Sequence, residues 1–418
     1  MNGDIFLYFI LITAKLLFFN SAIDGTGIGS LPLIVSIAGA VLILIFWTNL
    51  LPRRVRLPIL YILDCVITFV IIADMLFFRY FNDVLSMPVL EQASVVTSVK
   101  SSVASLLHGS DLIFVADILI IPIISVIAGR KDRHRKISLR RRITCFLSAI
   151  IIGIGMSSYG ILELSKTQPG IFSSFYDKVY IAQNIGLLSY HGIDAFRYIK
   201  SQNKAVLPVS EEDKREITEF LKNKKSEQPL SPGLFGIGKD KNLIVIQVEA
   251  LQEFVIGRSV EGREITPNLN KLIKNSLYFD NYYTQTAAGG TSDAELLSNV
   301  SMHPAKDGAA FIRFPMNDYY SLAGRLSEEG YLTSAMHAFK PDYWNRSTIY
   351  KAFGFDEFIS KEDYVPDEIS GMGLTDKSFF RQSLEYMEKY KEPYYTFLIT
   401  LTGHFPYDND KRYFSDFN

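Results

Sequence analysis

The stretch "NLIVIQVEA", residues 242–250, is an apolar and β-branched run that ends at Glu249. A strand without polar alternation is predicted to be buried on both faces, as in a parallel sheet covered by helices. Two later segments, "YLTSAMHAF" (331–339) and "YYTFLITLTGH" (394–404), predict strands of the same kind. Helical patterns at 318–330 and 377–392 alternate with them. This order predicts a doubly wound α/β domain that begins near residue 241.

Polar side chains follow each of these three predicted strands. They are Glu249, His337 and His404. Open α/β sheets bind ligands beyond the carboxyl ends of their strands, so the three side chains are expected at one edge. A single histidine at such a place is more often structural than catalytic. The shared position of all three residues favours a site.

A glycine-led segment, "AAGGTSDAELLSNV" (287–300), predicts a helix that starts near Thr291. Thr291 has two interpretations. It is either an N-cap, followed by acids that suit the helix dipole, or a reactive hydroxyl where backbone N–H groups attract a phosphate or sulfate. The segment "DYWNRSTIYKAFGFDEF" (342–358) adds Arg346 as a clamp for an anion and Trp344 as an aromatic wall. Its alternative is a packed loop with a surface arginine.

The first 165 residues are a different kind of sequence, with long apolar runs in a chain whose net charge is only −1. Crossing a bilayer takes roughly 20 helical residues. Five stretches come near that length, at about 3–20, 31–51, 57–79, 111–129 and 143–163. For the first stretch a signal peptide is the alternative, and its Lys15 would have to snorkel. We interpret the aspartates within the spans, Asp64, Asp74 and Asp117, as interior polar packing.

Basic residues set the predicted orientation. Arginines and lysines cluster at 53–56 and 130–142, which predicts cytoplasmic loops and an outer location for everything after residue 165. The cluster at 130–142 lies between two spans, so anionic lipid is a better partner for it than nucleic acid. The predicted organisation is a membrane domain (1–165), a juxtamembrane helical linker (166–240) and the N-terminal part of an extracellular catalytic domain (241–418).

Five segments together resemble one family. They are "VEALQEF", "TPNLNKL", "FDNYYTQTAAGGTSDAELL", "MHAFKPDYWNRSTIYKAFGFDEF" and "TGHFPY". They resemble the lipoteichoic acid synthase (polyglycerolphosphate synthase) family of the alkaline phosphatase and sulfatase superfamily, and the resemblance covers essentially the whole chain. It implies a membrane-bound transferase that moves glycerol phosphate from phosphatidylglycerol to a growing polymer or a glycolipid acceptor through a threonine-linked intermediate.

The same resemblance implies roles for individual residues. Thr291 would be the nucleophile, and Glu249 and Thr291 would bind a divalent metal, most often Mn²⁺ in related enzymes. The phosphoglycerol group would be held by His337, Trp344, Arg346 and His404. A threonine hydroxyl needs such help, because it is a weak nucleophile until a base or metal lowers its pKa.

Two departures from the family pattern alter the expectations. Phe339 stands where relatives often have an acid, so the glycerol pocket is expected to differ. No Asp-His pair, which would supply the remaining metal ligands, follows "TGHFPY". The sequence is therefore expected to be an N-terminal portion of the enzyme or a truncated product, with weak metal binding and negligible turnover.

Three alternatives remain open at this point. The first is a related phosphoglycerol or phosphoethanolamine transferase. The second is a sulfatase-type hydrolase, although a simple sulfatase would have a Cys- or Ser-based nucleophile motif, whereas position 291 is threonine. The third is a non-catalytic membrane protein.

Overall fold

A computed structural model describes residues 3–24, 29–91, 100–128, 138–175, 177–205, 209–226 and 235–405. The chain divides into two compact units. The first comprises Met1–Met87 and Val103–Val206, and the second comprises Pro88–Ser102 and Leu207–Asn418.

Helices make up the described chain as far as residue 226. They are α1 (Gly3–Asp24), α2 (Leu31–Phe46), α3 (Arg53–Phe81), α4 (Met87–Leu90), α5 (Lys100–Ser105), α6 (Leu112–Ala128), α7 (Leu139–Thr167), α8 (Ile171–Ser174), α9 (Lys178–Ile185), α10 (Leu187–Ala205) and α11 (Glu211–Ser226). Short 3₁₀ turns at Trp47–Leu50 and Gly109–Asp111 connect some of them.

The predicted apolar, helical N-terminal region is confirmed. Four helical segments within the described residues are long and apolar enough to cross a membrane: Gly3–Ile23, Leu31–Leu50, Arg53–Phe81 and Leu139–Thr167. The remaining predicted span, at 111–129, corresponds to α6, which is described over 17 residues. Most of the basic loop at 130–142 lies outside the described residues, so the orientation of the spans stays a prediction.

Charged side chains inside the helical unit are paired. Lys15 is 7% exposed and lies 2.9 Å from an Asp64 oxygen and 2.7 Å from an Asp117 oxygen. It therefore binds carboxylates inside the unit instead of snorkelling, because pairing avoids leaving an ammonium alone in apolar surroundings. Asp74 is buried and lies 2.8 Å from His191 Nε2. These contacts agree with interior polar packing.

The second unit contains a four-stranded parallel sheet in the order β1-β8-β4-β5. Its strands are β1 (Leu243–Gln247), β4 (Leu332–Met336), β5 (Glu357–Ile359) and β8 (Tyr394–Ile399). Two antiparallel ribbons are formed by β2 (Ser259–Val260) with β3 (Arg263–Glu264) and by β6 (Ile369–Ser370) with β7 (Gly373–Leu374). The three predicted strands are thus adjacent and parallel, which confirms the α/β prediction.

Six helices accompany the strands. They are α12 (Pro267–Ile273), α13 (Thr291–Val300), α14 (Ala310–Arg313), α15 (Leu322–Glu328), α16 (Arg346–Ala352) and α17 (Asp376–Met387). Aromatic side chains dominate the core beside the sheet, including Phe311, Tyr350, Phe353, Tyr395 and Phe397. This core fixes α13 and α16, the two helices that begin with Thr291 and Arg346.

One expectation about the sheet is wrong. The sequence predicts that β1 is buried on both faces, but β1 lies at the edge of the described sheet and pairs only with β8 there. Its Leu243, Ile244 and Ile246 are exposed. An apolar run specifies a strand, but it does not specify how many neighbours that strand has within a given length of chain.

Candidate active site

Thr291 is the first residue of α13, and its hydroxyl points away from the helix backbone. The N-cap position belongs to Gly290, whose φ of 51° and ψ of −116° suit a residue without a side chain. The Thr291 hydroxyl donates a 2.9 Å hydrogen bond to Glu249 Oε2. Gln247 Nε2 in turn donates to the Thr291 carbonyl oxygen at 3.2 Å. The capping interpretation of Thr291 is therefore wrong, and the hydroxyl is engaged with the end of β1.

The glycine turn before Thr291 is held by Asp293. Its Oδ2 accepts hydrogen bonds from the backbone N–H groups of Ala287 at 2.9 Å and Gly289 at 3.0 Å. A Cβ atom at Gly289 would lie only 2.2 Å from Asp293 Oδ1, so the turn requires glycine there. Burial raises the pKa of Asp293 to about 6, although the backbone hydrogen bonds oppose the rise. Asp293 thus shapes the loop that presents Thr291.

The segment after β8 fixes the backbone of Glu249. The Glu249 N–H donates to Thr400 Oγ1 at 2.8 Å. A Cβ atom at Gly403 would approach the Glu249 carbonyl oxygen to 2.7 Å, so the two segments pass each other closely. The "TLTGH" stretch therefore positions Glu249 as well as carrying His404.

His337 follows β4 directly and is 3% exposed. Its Nδ1 lies 3.0 Å from the carbonyl oxygen of Ile399, the last residue of β8. A carbonyl can only accept, so Nδ1 carries the proton of the neutral ring and Nε2 has its lone pair free. Burial, followed by the nearby charge of Arg346, lowers the pKa of His337 well below its ordinary value. His337 is thus a neutral imidazole at physiological pH.

His404 is an electrostatic neighbour of His337 and makes a small contribution to lowering the pKa of His337. Its backbone N–H donates to Leu401 at 3.0 Å, and its Nδ1 lies 2.7 Å from the Phe405 carbonyl oxygen. His404 is half-buried.

Arg346 begins α16 and is almost completely buried. It pairs with Glu295, and Tyr343 lies beside it with its ring centre 5.7 Å from the guanidinium carbon. Tyr343 is also an electrostatic neighbour of Glu249, and burial raises its pKa to about 12. Arg346 is therefore not the surface arginine of the alternative interpretation. Trp344 packs against Tyr343 with ring centres 5.6 Å apart and has a φ of 61°.

The structure brings all six predicted residues to the carboxyl-end edge of the sheet. The Thr291 hydroxyl contacts Glu249, and the Arg346 guanidinium contacts the Tyr343 ring. Electrostatic interactions relate Tyr343 to Glu249, and His337 to both Arg346 and His404. The arrangement offers a hydroxyl on a carboxylate, a neutral imidazole and a guanidinium near the start of a helix. Such groups suit transfer of an anionic group to or from an oxygen.

Four residues of this region were not singled out from the sequence: Asp293, Glu295, Tyr343 and Tyr350. In the sequence the two acids have the pattern of residues that suit the dipole of a helix. The two tyrosines lie in the segment 342–358, in which only the arginine and the tryptophan suggest a site. Phe339 is buried, with its ring centre 5.0 Å from that of Tyr343 and 6.3 Å from that of His337. Aromatic rings therefore lie together at the position where members of the family that the sequence resembles often have an acid.

Among the residues that the structure describes, no group of three or more His, Cys, Asp or Glu side chains could hold a metal ion. Glu249 and Thr291 supply two oxygens, which hard divalent cations prefer. Two donors are nevertheless fewer than such ions require, so these two residues by themselves do not make a complete metal site.

Comparison with known families covers nearly the whole chain. Residues 2–207 match the family described as "Lipoteichoic acid synthase N-terminal domain", and residues 241–418 match the family described as "Sulfatase".

Two relatives show how far the similarity extends. The chain is 33% identical over 361 residues to lipoteichoic acid synthase 1 of Bacillus subtilis (strain 168), covering 85% of this chain and 55% of that protein. It is 31% identical over 348 residues to a lipoteichoic acid synthase of Staphylococcus saprophyticus, and the match covers 82% of this chain and 53% of that protein. The chain thus spans about half the length of the curated relatives it matches.

A solved structure supports the fold. The structure is that of the integral membrane protein lipooligosaccharide phosphoethanolamine transferase A (EptA) from Neisseria meningitidis. The match covers 97% of this chain and 70% of the EptA chain, with a TM-score of 0.53 and 13% sequence identity. At this level of identity the likeness concerns the fold alone, which joins a helical membrane region to an α/β domain.

Proposed function

Because this chain belongs to the lipoteichoic acid synthase family, we propose that the protein is a membrane-bound phosphoglycerol transferase. It takes glycerol phosphate from phosphatidylglycerol and passes it to a glycolipid or a growing glycerol-phosphate polymer. The observation that carries this proposal is the 2.9 Å contact between the Thr291 hydroxyl and Glu249, at the start of a helix. Arg346 and His337, which interact electrostatically with each other, supply a cation and a neutral imidazole for the same proposed site. The four apolar helices suit a donor that resides in a membrane.

The chemistry proceeds in two balanced steps. Thr291 Oγ1 gives up its proton and forms a bond to the phosphorus of phosphatidylglycerol. The diacylglycerol oxygen leaves with its electron pair and gains a proton, so Thr291 becomes a phosphodiester that carries glycerol. An acceptor hydroxyl then gives up its proton and forms a bond to the same phosphorus. The bond from phosphorus to the threonine oxygen breaks, and that oxygen leaves with its electron pair and gains a proton.

The surrounding residues have distinct tasks in these steps. Glu249 accepts the hydrogen bond of the Thr291 hydroxyl and so directs its lone pairs away from the carboxylate. Backbone N–H groups at the start of α13 and the Arg346 guanidinium stabilise negative charge on the phosphoryl oxygens. His337, neutral and fixed through Nδ1, presents the Nε2 lone pair as an acceptor for a glycerol hydroxyl of the donor. Trp344 and His404 complete the predicted binding surface.

A divalent metal, which enzymes of this superfamily generally use, is part of the proposal. Mn²⁺ would neutralise phosphoryl charge and make the threonine hydroxyl more acidic when bound. Glu249 and Thr291 have the correct donor atoms, but the described residues supply too few of them. No step above therefore depends on the ion.

The catalytic unit is proposed to lie outside the cell. The basic residues at 53–56 and 130–142 support cytoplasmic loops, and the helix α7 that follows them would carry the chain across the membrane.

A related transferase with another donor headgroup is a second candidate, and Phe339 favours it. An aromatic side chain next to His337 cannot bind a glycerol hydroxyl as a carboxylate would. Phosphatidylethanolamine is the donor to compare.

The test uses the protein expressed from its own gene in membranes supplied with Mn²⁺ and labelled phosphatidylglycerol or phosphatidylethanolamine. The proposal expects diacylglycerol release from phosphatidylglycerol, and none from the Thr291→Ala variant. Release from phosphatidylethanolamine alone would support the second candidate. Release from neither lipid, by a folded protein, would contradict both and favour a non-catalytic membrane protein.

A further inference from the structure

Glu295 lies one helical turn after the candidate nucleophile. It is four residues beyond Thr291 on α13, so the two side chains share a face of that helix. Glu295 is completely buried. A buried carboxylate is costly unless it is paired and hydrogen-bonded, so its partners indicate what it does.

Its principal partner is Arg346, which starts a different helix, α16. The guanidinium Nε lies 3.2 Å and 3.1 Å from the two Glu295 oxygens, and Nη2 lies 2.6 Å from Oε1. The Tyr350 hydroxyl is a third donor and binds Oε2. Both carboxylate oxygens therefore accept hydrogen bonds, and the donors come from more than one residue.

This pairing determines which edge of Arg346 can meet a ligand. Nε and Nη2 are committed to Glu295, whereas Nη1 makes only a long 3.4 Å contact with the Tyr343 carbonyl oxygen. Burial by itself would lower the pKa of Arg346, but Glu295 raises it, so the guanidinium stays charged. The pair as a whole is close to neutral, so Arg346 contributes a directed N–H donor rather than an unbalanced positive charge.

We propose that Glu295 is a positioning residue that ties the phosphate-recognising Arg346 to the helix of Thr291. Because Glu295 and Thr291 lie on the same helix, the ion pair fixes the position of Arg346 Nη1 relative to the Thr291 hydroxyl. The inference rests on the proposed function, because the ligand it concerns is the phosphoglycerol group. It adds a residue that acts through another side chain and does not itself touch the substrate.

A merely structural ion pair predicts different behaviour. If Glu295 only balanced charge, its replacement by glutamine would free the positive charge of Arg346 and strengthen anion binding. If Glu295 orients Arg346, the same replacement weakens anion binding, because the Arg346 guanidinium loses the carboxylate that holds it in one orientation. The direction of the change in affinity therefore separates the two roles.

The first experiment measures binding of sn-glycerol 3-phosphate to the purified full chain in detergent by calorimetry. Glu295→Gln should weaken binding roughly tenfold or more, and Tyr350→Phe should weaken it less. Combining Glu295→Gln with Arg346→Lys should cost no more than Arg346→Lys alone, since Glu295 acts through Arg346. Glu328→Gln, which breaks the exposed pair with Arg325, is the matched control and should leave binding unchanged.

Equal or tighter binding by Glu295→Gln, or additive losses in the double variant, would overturn the proposal. A second readout does not depend on the donor. In protein labelled with ¹⁵N-arginine, the Arg346 Nε–H signal, identified by its absence in Arg346→Lys, should persist at pH 8 and disappear in Glu295→Gln. If the wild type binds no glycerol phosphate but this signal behaves as stated, the donor assignment fails and the positioning role stands. An unchanged signal in Glu295→Gln would refute the positioning role.

Discussion

The Thr291 hydroxyl donates a 2.9 Å hydrogen bond to Glu249 Oε2, which joins the first residue of α13 to the segment that follows β1. The two residues are 42 positions apart in the chain. Their contact places the hydroxyl that follows the glycine turn against a carboxylate just beyond the first strand of the sheet.

The first prediction concerns Thr291 itself. In the protein expressed from its own gene, Thr291→Ala should abolish diacylglycerol release and leave the melting temperature nearly unchanged, because the hydroxyl caps no backbone group. Thr291→Ser should keep part of the activity. Losing a true N-cap would instead cost about 1 kcal/mol and leave turnover nearly normal. Melting curves and the lipid assay on the same preparations distinguish these outcomes, and a fully active Ala variant would contradict the account.

The second prediction concerns the pH response of His337. Its pKa is lowered by burial and by Arg346, so the folded state binds a proton there less readily than the unfolded chain does. His337 therefore contributes stability above its unfolded pKa of about 6.5, and that stability is lost as the pH falls toward the folded pKa. Replacing His337 with Gln should reduce the loss of stability between pH 7 and pH 5. An imidazole NMR signal from His337 that titrates near pH 6.5 would contradict this.

The third prediction has the opposite sign and concerns Asp293. Burial raises its pKa to about 6, from 3.8. Asp293 therefore stabilises the folded state most below the unfolded pKa, and this contribution is lost as the pH rises through about 6. Asp293→Asn keeps an oxygen for the two backbone N–H groups but does not titrate. The stability of the variant relative to wild type should rise between pH 4 and pH 7, by up to about 3 kcal/mol.

The matched control for Asp293 is Asp280→Asn, in an exposed segment. Comparing the two variants separates the effect of the buried position from the effect of the replacement itself. Urea unfolding at each pH provides the measurement. A pH-independent difference for Asp293→Asn would show that Asp293 titrates normally.

The limits of inference from the sequence are visible in this site. The apolar runs of three predicted strands and the polar residue after each were enough to predict that Glu249, His337 and His404 lie at one edge of the sheet. The partner of Arg346 could not be inferred in this way, because Glu295 lies 51 residues earlier and its sequence context resembles an ordinary first helical turn.

The burial of individual side chains also could not be inferred from the local sequence pattern. The residues of β1 have the composition of a central strand, yet Ile244 and Ile246 are exposed at the edge of the described sheet. Lys15 was expected to reach for the membrane surface and is instead paired with two aspartates from other helices. In both cases the outcome depends on distant elements of the chain.

The fourth prediction concerns membrane topology. A reporter fused after residue 135 should be cytoplasmic, and one fused near residue 230 should be outside, because arginine and lysine are concentrated in the first of these loops. Accessibility of single cysteines to a membrane-impermeant reagent gives the same information. Both reporters on one side would contradict the orientation.

The fifth prediction concerns the metal. The 418-residue chain should bind Mn²⁺ weakly, because Glu249 and Thr291 are the donors that its described residues bring together. Glu249→Gln should weaken binding further, whereas Glu253→Gln, on an exposed residue nearby in the chain, should not. Titration calorimetry that shows tight, stoichiometric Mn²⁺ binding would refute the two-donor argument.

The central claim is that Thr291 forms a covalent bond to the transferred group. The most direct test is mass spectrometry of the protein expressed from its own gene, after brief incubation with phosphatidylglycerol and Mn²⁺ and rapid quenching in acid. The account predicts a peptide containing Thr291 that carries one added phosphoglycerol group and is absent from the Thr291→Ala protein. Diacylglycerol release without any adduct on Thr291, or an adduct on another residue that persists in Thr291→Ala, would contradict it.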